Sequence, residues 1–280
     1  MATTAQLSEE ATSQYAQAGD IKLHYNDVGT GDALVFLHGG GPGASSWSNF
    51  FKNVGPLSEK YRCLLIDQPG FGKSESVTMT ESRTTVNARA VKDLLDVLNI
   101  EKASFIGNSM GGATTVTFAI DYPERVDKIV VMGSGGAGGA PIFAPTPTEG
   151  IKILNEVFDN PSVEGLRTLI NVMLYDGSQV PDEVLEQRYK TIMDNPGHME
   201  ARKNSVNVQR DISTATAGIK APALILHGRN DRVVPLENGL RLVSSIPNSR
   251  LVVLNQCGHW AQYEHADVFN RLVLDFLANG

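Results

Sequence analysis

Two cysteines in 280 residues are too few for a disulfide framework, and their spacing matches no zinc knuckle. Cys63 lies in the apolar run YRCLLID and Cys257 in NQCGHW, as in a reduced, intracellular protein. Cys257 stands two residues from His259, so a catalytic thiol is an alternative the rest of the sequence must displace. There is no run of 18 apolar residues to cross a membrane. The first twenty residues, MATTAQLSEEATSQYAQAGD, have neither a basic n-region nor an apolar h-region. The expectation is therefore a cytoplasmic protein without a signal peptide. A basic excess is also missing. The net charge of −7 argues against nucleic acid or an anionic membrane as the main partner, since both attract basic surfaces. It leaves open a small anionic substrate, which feels its pocket more than the whole field. The phosphate-loop spacing GxxxxGK[ST] and any metal-ligand cluster are absent too, so no metal and no organic cofactor is expected.

What is present is an ordinary globular balance, 41% hydrophobic and 20% charged. A chain of this size buries roughly three quarters of its unfolded surface. Short apolar runs alternate with amphipathic ones. ALVFLHG (33–39), RCLLID (62–67), ASFIG (103–107), DKIVVMG (127–133), APALILHG (221–228) and RLVVLN (250–255) read as strands. Helices are expected over 84–100, where Val91, Leu94, Leu95 and Leu98 share a face, and over 111–121, 236–246 and 264–278. The alternation predicts an α/β fold: a mostly parallel, doubly wound sheet, its strands lacking period-two patterning because both faces are covered. Residues 1–134 and 215–280 would form this core. Between them the rhythm changes. GSGGAGGAPIFAPTPTEG is a flexible exit rich in glycine and proline, and helices near 148–158, 162–174, 181–194 and 197–208 follow without a convincing strand. Residues 135–214 are thus expected to be a helical cap inserted in the core.

In a parallel sheet, functional groups gather beyond the carboxyl ends of the strands. After ALVFL comes His38-Gly39-Gly40-Gly41-Pro42-Gly43; after ASFI comes Gly107-Asn108-Ser109-Met110-Gly111. After ALILHG comes Arg229-Asn230-Asp231, and after RLVVL comes Asn255-Gln256-Cys257-Gly258-His259. A lone G-x-S-x-G is a weak signal. Its force here comes from the strand before it, the helix after it, the glycine-rich turn upstream, and an aspartate and a histidine in order downstream. Serine needs a base to take its proton, and the base needs a carboxylate to orient it. Ser109, His259 and Asp231 are the candidates. Asp121 and Asp267 are rivals for the acid, but only Asp231 follows directly on a strand. His24 and His198 read as surface residues, His227 as a group at the core's edge, and His265 as the opening of the last helix. The HGGGPG turn would supply one oxyanion donor, Gly40 with Gly39 as its rival, and the Met110 amide the other.

Several stretches resemble one family closely: HGGGPGASSWSNF, DQPGFGKS, NARAV, GNSMGGATTVTFAIDYPERV, MGSGGAGG, FAPTPTEGIK and CGHWAQYEHADVFNRLVLDFL. From about residue 20 onward the chain is similar to the meta-cleavage product hydrolases, α/β-hydrolases that cleave a carbon–carbon bond in ring-fission products of aromatic degradation. The resemblance implies a 2-hydroxy-6-oxohexa-2,4-dienoate substrate, a small anion, and a homo-oligomer. It implies that Arg188, in LEQRYK, clamps the carboxylate as a planar fork. It also implies that Asn49, Asn108 and Trp260, with the Gly39 and Gly41 backbone, meet the polar end. The cap would supply the apolar pocket, with Ile151, Leu154, Met173 and Leu174 as candidates. Attack by Ser109 or directly by water stays open, as does the alkyl or aryl nature of the C6 substituent. The rivals are a carboxylesterase or thioesterase on the same scaffold, for which Arg188 and Asn108 would be dispensable, and a non-catalytic binding module, which has no need of all three triad members. A haloalkane dehalogenase would carry aspartate in place of Ser109.

Overall fold

A computed structural model describes residues 7–135 and 141–280. The strands are β1 (Ser13–Ala18), β2 (Ile21–Val28), β3 (Ala33–Leu37), β4 (Arg62–Ile66), β5 (Ala103–Asn108), β6 (Val126–Met132), β7 (Ala223–Gly228) and β8 (Ser249–Leu254). They form one sheet in the order β1-β2-β4-β3-β5-β6-β7-β8. The first two strands pair antiparallel, as does β2 with β4; every later pairing is parallel.

The helices are α1 (Glu9–Thr12), α2 (Ser46–Ser58), α3 (Arg83–Val97), α4 (Met110–Asp121), α5 (Glu149–Asp159), α6 (Val163–Met173), α7 (Asp182–Asp194), α8 (Pro196–Asn204), α9 (Leu236–Ser245), α10 (Ala261–Glu264) and α11 (Ala266–Asn279). Alternate strand residues go to opposite faces. Val35, Leu37, Leu64 and Ile66 join Phe105 and the apolar faces of α3 and α4 in one core. Leu34, Phe36, Cys63 and Leu65 join Ile106 and the α2 and α11 residues Phe50 and Phe269 in the other. Burial on both faces is why these strands read as unbroken apolar runs.

Helices α5 to α8 lie between β6 and β7, with no strand among the described residues there. Residues 136–140, part of the expected glycine-rich exit, fall outside the described residues.

Several element boundaries differ from expectation. Helix α3 stops at Val97 because Asn99 turns to φ 54, a left-handed residue that ends the helix. The helix expected at 197–208 ends at Asn204, and the final one is split at His265, whose φ of −127 and ψ of 48 are not helical. The β1–β2 hairpin was not foreseen. Leu23 and Tyr25 of β2 enter the hydrophobic core, while the opposite face of that strand buries the polar side chains of His24 and Asn26. His24 Nδ1 lies 2.8 Å from Asp67 Oδ2, and the Asn26 amide donates to the Glu9 carbonyl at 2.7 Å. His24 is therefore a core residue and not the surface residue expected, because pairing with Asp67 satisfies it inside.

Candidate active site

The two glycines around Ser109 are demanded by packing. A Cβ on Gly107 would lie 2.4 Å from the Gly111 carbonyl oxygen, and one on Gly111 would lie 2.0 Å from that of Leu37. Side chains removed at these points let the chain turn sharply from β5 into α4, with Ser109 held at φ 52 and ψ −112. This region is costly for a non-glycine residue, so the turn is maintained by its surroundings. The Ser109 N–H donates to the Met132 carbonyl at 2.9 Å, tying the turn to the neighbouring strand. Met110 is the first residue of α4, so its N–H has no acceptor within the helix.

The HGGGPG turn is fixed from below. The Gly39 N–H donates to Asn49 Oδ1 at 3.0 Å, and Asn49 is placed by the Ser45–Ser48 capping box that starts α2. That bond occupies the Gly39 N–H, whereas no hydrogen bond from the Gly40 N–H is found among the described residues. Gly40 packs against Met110, whose Sδ would stand 3.2 Å from a Cβ there. Beneath, His38 Nδ1 donates to the Gly39 carbonyl at 2.8 Å while its Nε2 accepts from the Gln68 N–H at 3.0 Å. Burial keeps His38 below the usual histidine range, so it serves as a neutral bracket.

His259 and Asp231 meet from the loops after β8 and β7. His259 Nδ1 lies 2.8 Å from Asp231 Oδ2, and both side chains are buried. Asp231 Oδ1 accepts from the Val233 and Val234 N–H groups at 2.8 and 2.9 Å. Burial alone would raise this carboxyl, but the charge and hydrogen bond of His259 outweigh it and hold it below the ordinary carboxylate range. An ionised Asp231 keeps the proton on Nδ1 and leaves Nε2 as the basic atom. His227 lies 3.6 Å from the same carboxylate, but its Nε2 is committed to the Val234 carbonyl at 2.9 Å and burial lowers its pKa. The edge-of-core role expected for His227 fits this.

The helical insertion reaches the site at two places. The His259 N–H donates to the Met173 carbonyl at 2.6 Å, and a Cβ on Gly258 would lie 2.3 Å from that oxygen. The Arg188 carbonyl would lie 2.4 Å from a Cβ on Gly43, whose φ is +65. Glycine at the end of HGGGPG thus lets α7 dock, and docking carries Arg188 inward. Its side chain is only 3% exposed. Its guanidinium stacks 4.8 Å from the Trp260 ring, makes one long bond of 3.4 Å to the Pro42 carbonyl, and leaves Nε without a partner. Burial lowers its pKa to about 10. Among the described residues no carboxylate pairs with it.

These groups surround a cavity of about 270 Å³. Gly39, Gly40, Gly41, Asn49, Asn108 and Arg188 line its polar part, and Ser109, Met110, His259 and Trp260 line it too. Asn108 spends its amide donor on the Met132 and His259 carbonyls, both at 3.3 Å, while its buried Oδ1 has no partner.

The sequence model of the Alpha/beta hydrolase family matches residues 34–272. A 2-hydroxy-6-oxo-6-phenylhexa-2,4-dienoate hydrolase of Comamonas testosteroni is 50% identical over 97% of this chain and 98% of its own length. A 2-hydroxy-6-oxononadienedioate/2-hydroxy-6-oxononatrienedioate hydrolase of the same organism is 46% identical over 98% of this chain and 99% of its own. Among solved structures, the meta-cleavage product hydrolase of Pseudomonas fluorescens IP01 superposes with a TM-score of 0.82 at 32% identity, covering 95% of this chain and 97% of that one. The chain belongs to the α/β-hydrolase family, among its meta-cleavage product hydrolases.

Within this hydrolase, Ile151, Leu154 and Met173 line the apolar side of the cavity, joined by Ala113, Val233 and Val234. Leu174 does not. It is buried in the apolar cluster that also holds Leu166, Leu169 and Leu185 of the insertion. His198 is half-buried and not a surface residue: its Nδ1 meets Ser76 Oγ at 2.7 Å and its Nε2 the Gly72 carbonyl at 3.2 Å. Sequence reasoning also missed Gln68, which donates to the His38 carbonyl and accepts from Asn87 and Thr114. The available signal was the polar pair Asp67-Gln68 directly after an apolar strand. Glu264 was missed as well. It holds the His259 loop by accepting from the Gly258 N–H at 2.9 Å and the Tyr175 N–H at 2.7 Å.

Neither cysteine suits thiol chemistry. Both are fully buried, and burial drives both thiols far above the usual range. The folded protein is expected to show no thiol reacting with Ellman's reagent at pH 8, and two after denaturation. Fast modification of one thiol in the folded state would reopen Cys257 as a nucleophile.

Proposed function

We propose that this hydrolase cleaves the C5–C6 bond of a 2-hydroxy-6-oxohexa-2,4-dienoate, releasing 2-hydroxypenta-2,4-dienoate and a carboxylic acid. The observation that carries this reading is Arg188, a buried guanidinium with no carboxylate paired to it among the described residues, in the same cavity as Ser109 and His259. A buried unpaired charge is costly unless an anion completes it. An esterase for neutral esters has no use for it; a substrate bearing a carboxylate does.

In the proposed mechanism the insertion over 135–214 acts as a cap, and the dienoate carboxylate lies in the fork of Arg188. Asn49, Asn108, Trp260 and the Gly39–Gly41 backbone border the polar end. Tautomerisation of the dienol to the keto form gives the electrons of the C5–C6 bond an acceptor. His259 Nε2 takes the Ser109 proton as the hydroxyl attacks the C6 carbonyl. The Gly40 and Met110 N–H groups stabilise the oxyanion, each such donor being worth about 3 kcal/mol. The C5–C6 electron pair flows through C4 and C3 into the C2 carbonyl, whose oxygen takes a proton to give the hydroxypentadienoate, and water hydrolyses the ester on Ser109 to release the acid.

The test is a stopped-flow trace with 2-hydroxy-6-oxo-6-phenylhexa-2,4-dienoate and chromatography of the products. Loss of the dienolate absorbance with benzoate and hydroxypentadienoate formed one to one is the expected result. Persistent colour with cleavage of a simple aryl ester would make this an esterase.

The same cavity bears on the C6 substituent. Its apolar side presents Ala113, Ile151, Leu154, Met173, Val233 and Val234. Arg188 and His259 are its only basic lining residues among those described, and residues 136–140 are glycine and alanine alone. A second carboxylate on the substituent would go unpaired, at a cost of several kcal/mol. The phenyl or a short alkyl substrate should therefore exceed the nonadienedioate in kcat/KM by about 100-fold, as roughly 2.7 kcal/mol of discrimination gives. Equal values for the two would remove the apolar assignment and leave the reaction class standing.

A further inference from the structure

A pair of arginines apart from the Arg188 cavity also forms no ion pair among the described residues. Arg83 opens α3 in the core, and Arg202 lies in the last turn of α8 in the insertion. The Arg202 guanidinium stacks 3.8 Å from the Phe158 ring centroid, and that of Arg83 lies 5.7 Å from Phe71. Their hydrogen bonds go to neutral acceptors, Arg83 Nη1 to the Pro69 carbonyl at 3.5 Å and Arg202 Nη2 to Asn155 Oδ1 at 3.3 Å. Neither forms an ion pair among the described residues. Asp159 acts on Arg202 through space, without a hydrogen bond.

Both arginines line one cavity of about 360 Å³, with Met79, Phe158, Met199 and Val206 as apolar walls, Lys203 exposed beside them and Asp159 the one carboxylate on the lining, outnumbered by three cations. The walls are pinned together. The Met79 N–H donates to Ser205 Oγ and the Val206 N–H to the Met79 carbonyl, each at 2.8 Å. Nearby, His198 joins the insertion to Ser76 and Gly72 of the core. Burial lowers both guanidinium pKa values, and the charge of Arg202 lowers that of Arg83 further. Two like charges are thus held at a preformed hollow between core and insertion.

We propose that Arg83 and Arg202 form a second anion site, which binds a small organic carboxylate between α3 and α8. A guanidinium stacked on a ring keeps its N–H edge free, and that planar edge matches a carboxylate. The apolar walls take the hydrocarbon part, which inorganic phosphate lacks. An anion here relieves the repulsion between the two cations and ties the insertion to the core. On the reaction proposed above, the released acid belongs to this ligand class, but binding at the site does not depend on that reaction.

Calorimetric titration of the intact protein with sodium benzoate at low ionic strength tests the assignment, with inorganic phosphate as the comparison. The expected result is two benzoate sites. Arg83→Met and Arg202→Met should each weaken one of them at least tenfold and leave the other unchanged. Arg188→Gln should do the reverse; a site that survived it would count against the Arg188 clamp and not against this pair. Crystals of the unaltered protein soaked in benzoate should show the ligand between Arg83 and Arg202, a readout that needs no variant to fold. A single benzoate site, a second one indifferent to both substitutions, or an empty hollow in the soaked crystals would overturn the proposal. Phosphate binding as tightly as benzoate would overturn the organic carboxylate as the ligand.

Discussion

Ser109→Ala is expected to lower kcat on the dienoate by about 10⁴-fold or more while leaving the melting temperature within a degree or two. The magnitude follows from losing a nucleophile that acts as a unit with its base, where removing one member forfeits most of the combined effect. Stability should hold because the strain at φ 52 belongs to the backbone, which Gly107, Gly111 and the Ser109 N–H bond to Met132 keep in place whatever the side chain. Alanine and serine pay similarly for that conformation. Single-turnover absorbance kinetics beside a calorimetric melt read both quantities. A variant retaining a tenth of the wild-type rate would mean that water, activated by His259, attacks C6 directly.

Arg188→Met is the second large effect, and its two halves have opposite signs. A bidentate pair with a carboxylate comprises two hydrogen bonds to charged groups, at about 1.5–3 kcal/mol each. Their loss should cut kcat/KM for the dienoate by roughly 10²–10⁴-fold, while turnover of a neutral aryl ester stays within a few-fold. Stability should rise. The guanidinium titrates near 10 in the fold because burial penalises its charge, whereas in the unfolded chain it keeps its higher ordinary value. Between those values the unfolded chain binds more protons, so folding gains as pH increases through that window. At pH 7 the buried charge is therefore a net cost, and the methionine variant should melt higher. For the wild type, KM for the dienoate should climb as pH rises through about 10, because the free protein then loses the cation that holds the substrate. A lower melting temperature together with an unchanged KM would show Arg188 to be a structural residue.

Much of the site was legible because it sits in loops with local signatures. Glycines bracket Ser109 within two residues, and the requirement they meet, room for a turn against Leu37 and Thr115, is short-range. The order of strand, loop and helix then delivered Asp231 and His259 by topology alone, since parallel strands place their following loops on one edge. His24 shows where this reasoning stops. A histidine in a polar stretch reads as exposed, and only pairing with Asp67, 43 positions away, buries it. Gln68 and Glu264 were missed for the same reason, as their partners lie on other elements. Arg188 lies between these cases. The resemblance pointed to it, but residues on a helix of an insertion have no intrinsic bearing toward a cavity.

The sequence by itself pointed to the sheet's parallel core, the helical segment between β6 and β7, and the serine, aspartate and histidine that the loops bring to one edge. Each rests on periodicity or on steric demands within a few residues. Tertiary structure alone decided between the two glycine amides, since Asn49 occupies that of Gly39. It also decided that Arg188 is buried with no acid paired to it among the described residues, that Leu174 misses the cavity while Val233 and Val234 reach it, and that Arg83 and Arg202 line one hollow. Those outcomes depend on distances between residues far apart in the chain. Burial and charge pairing are properties of such encounters, so no local pattern could carry them.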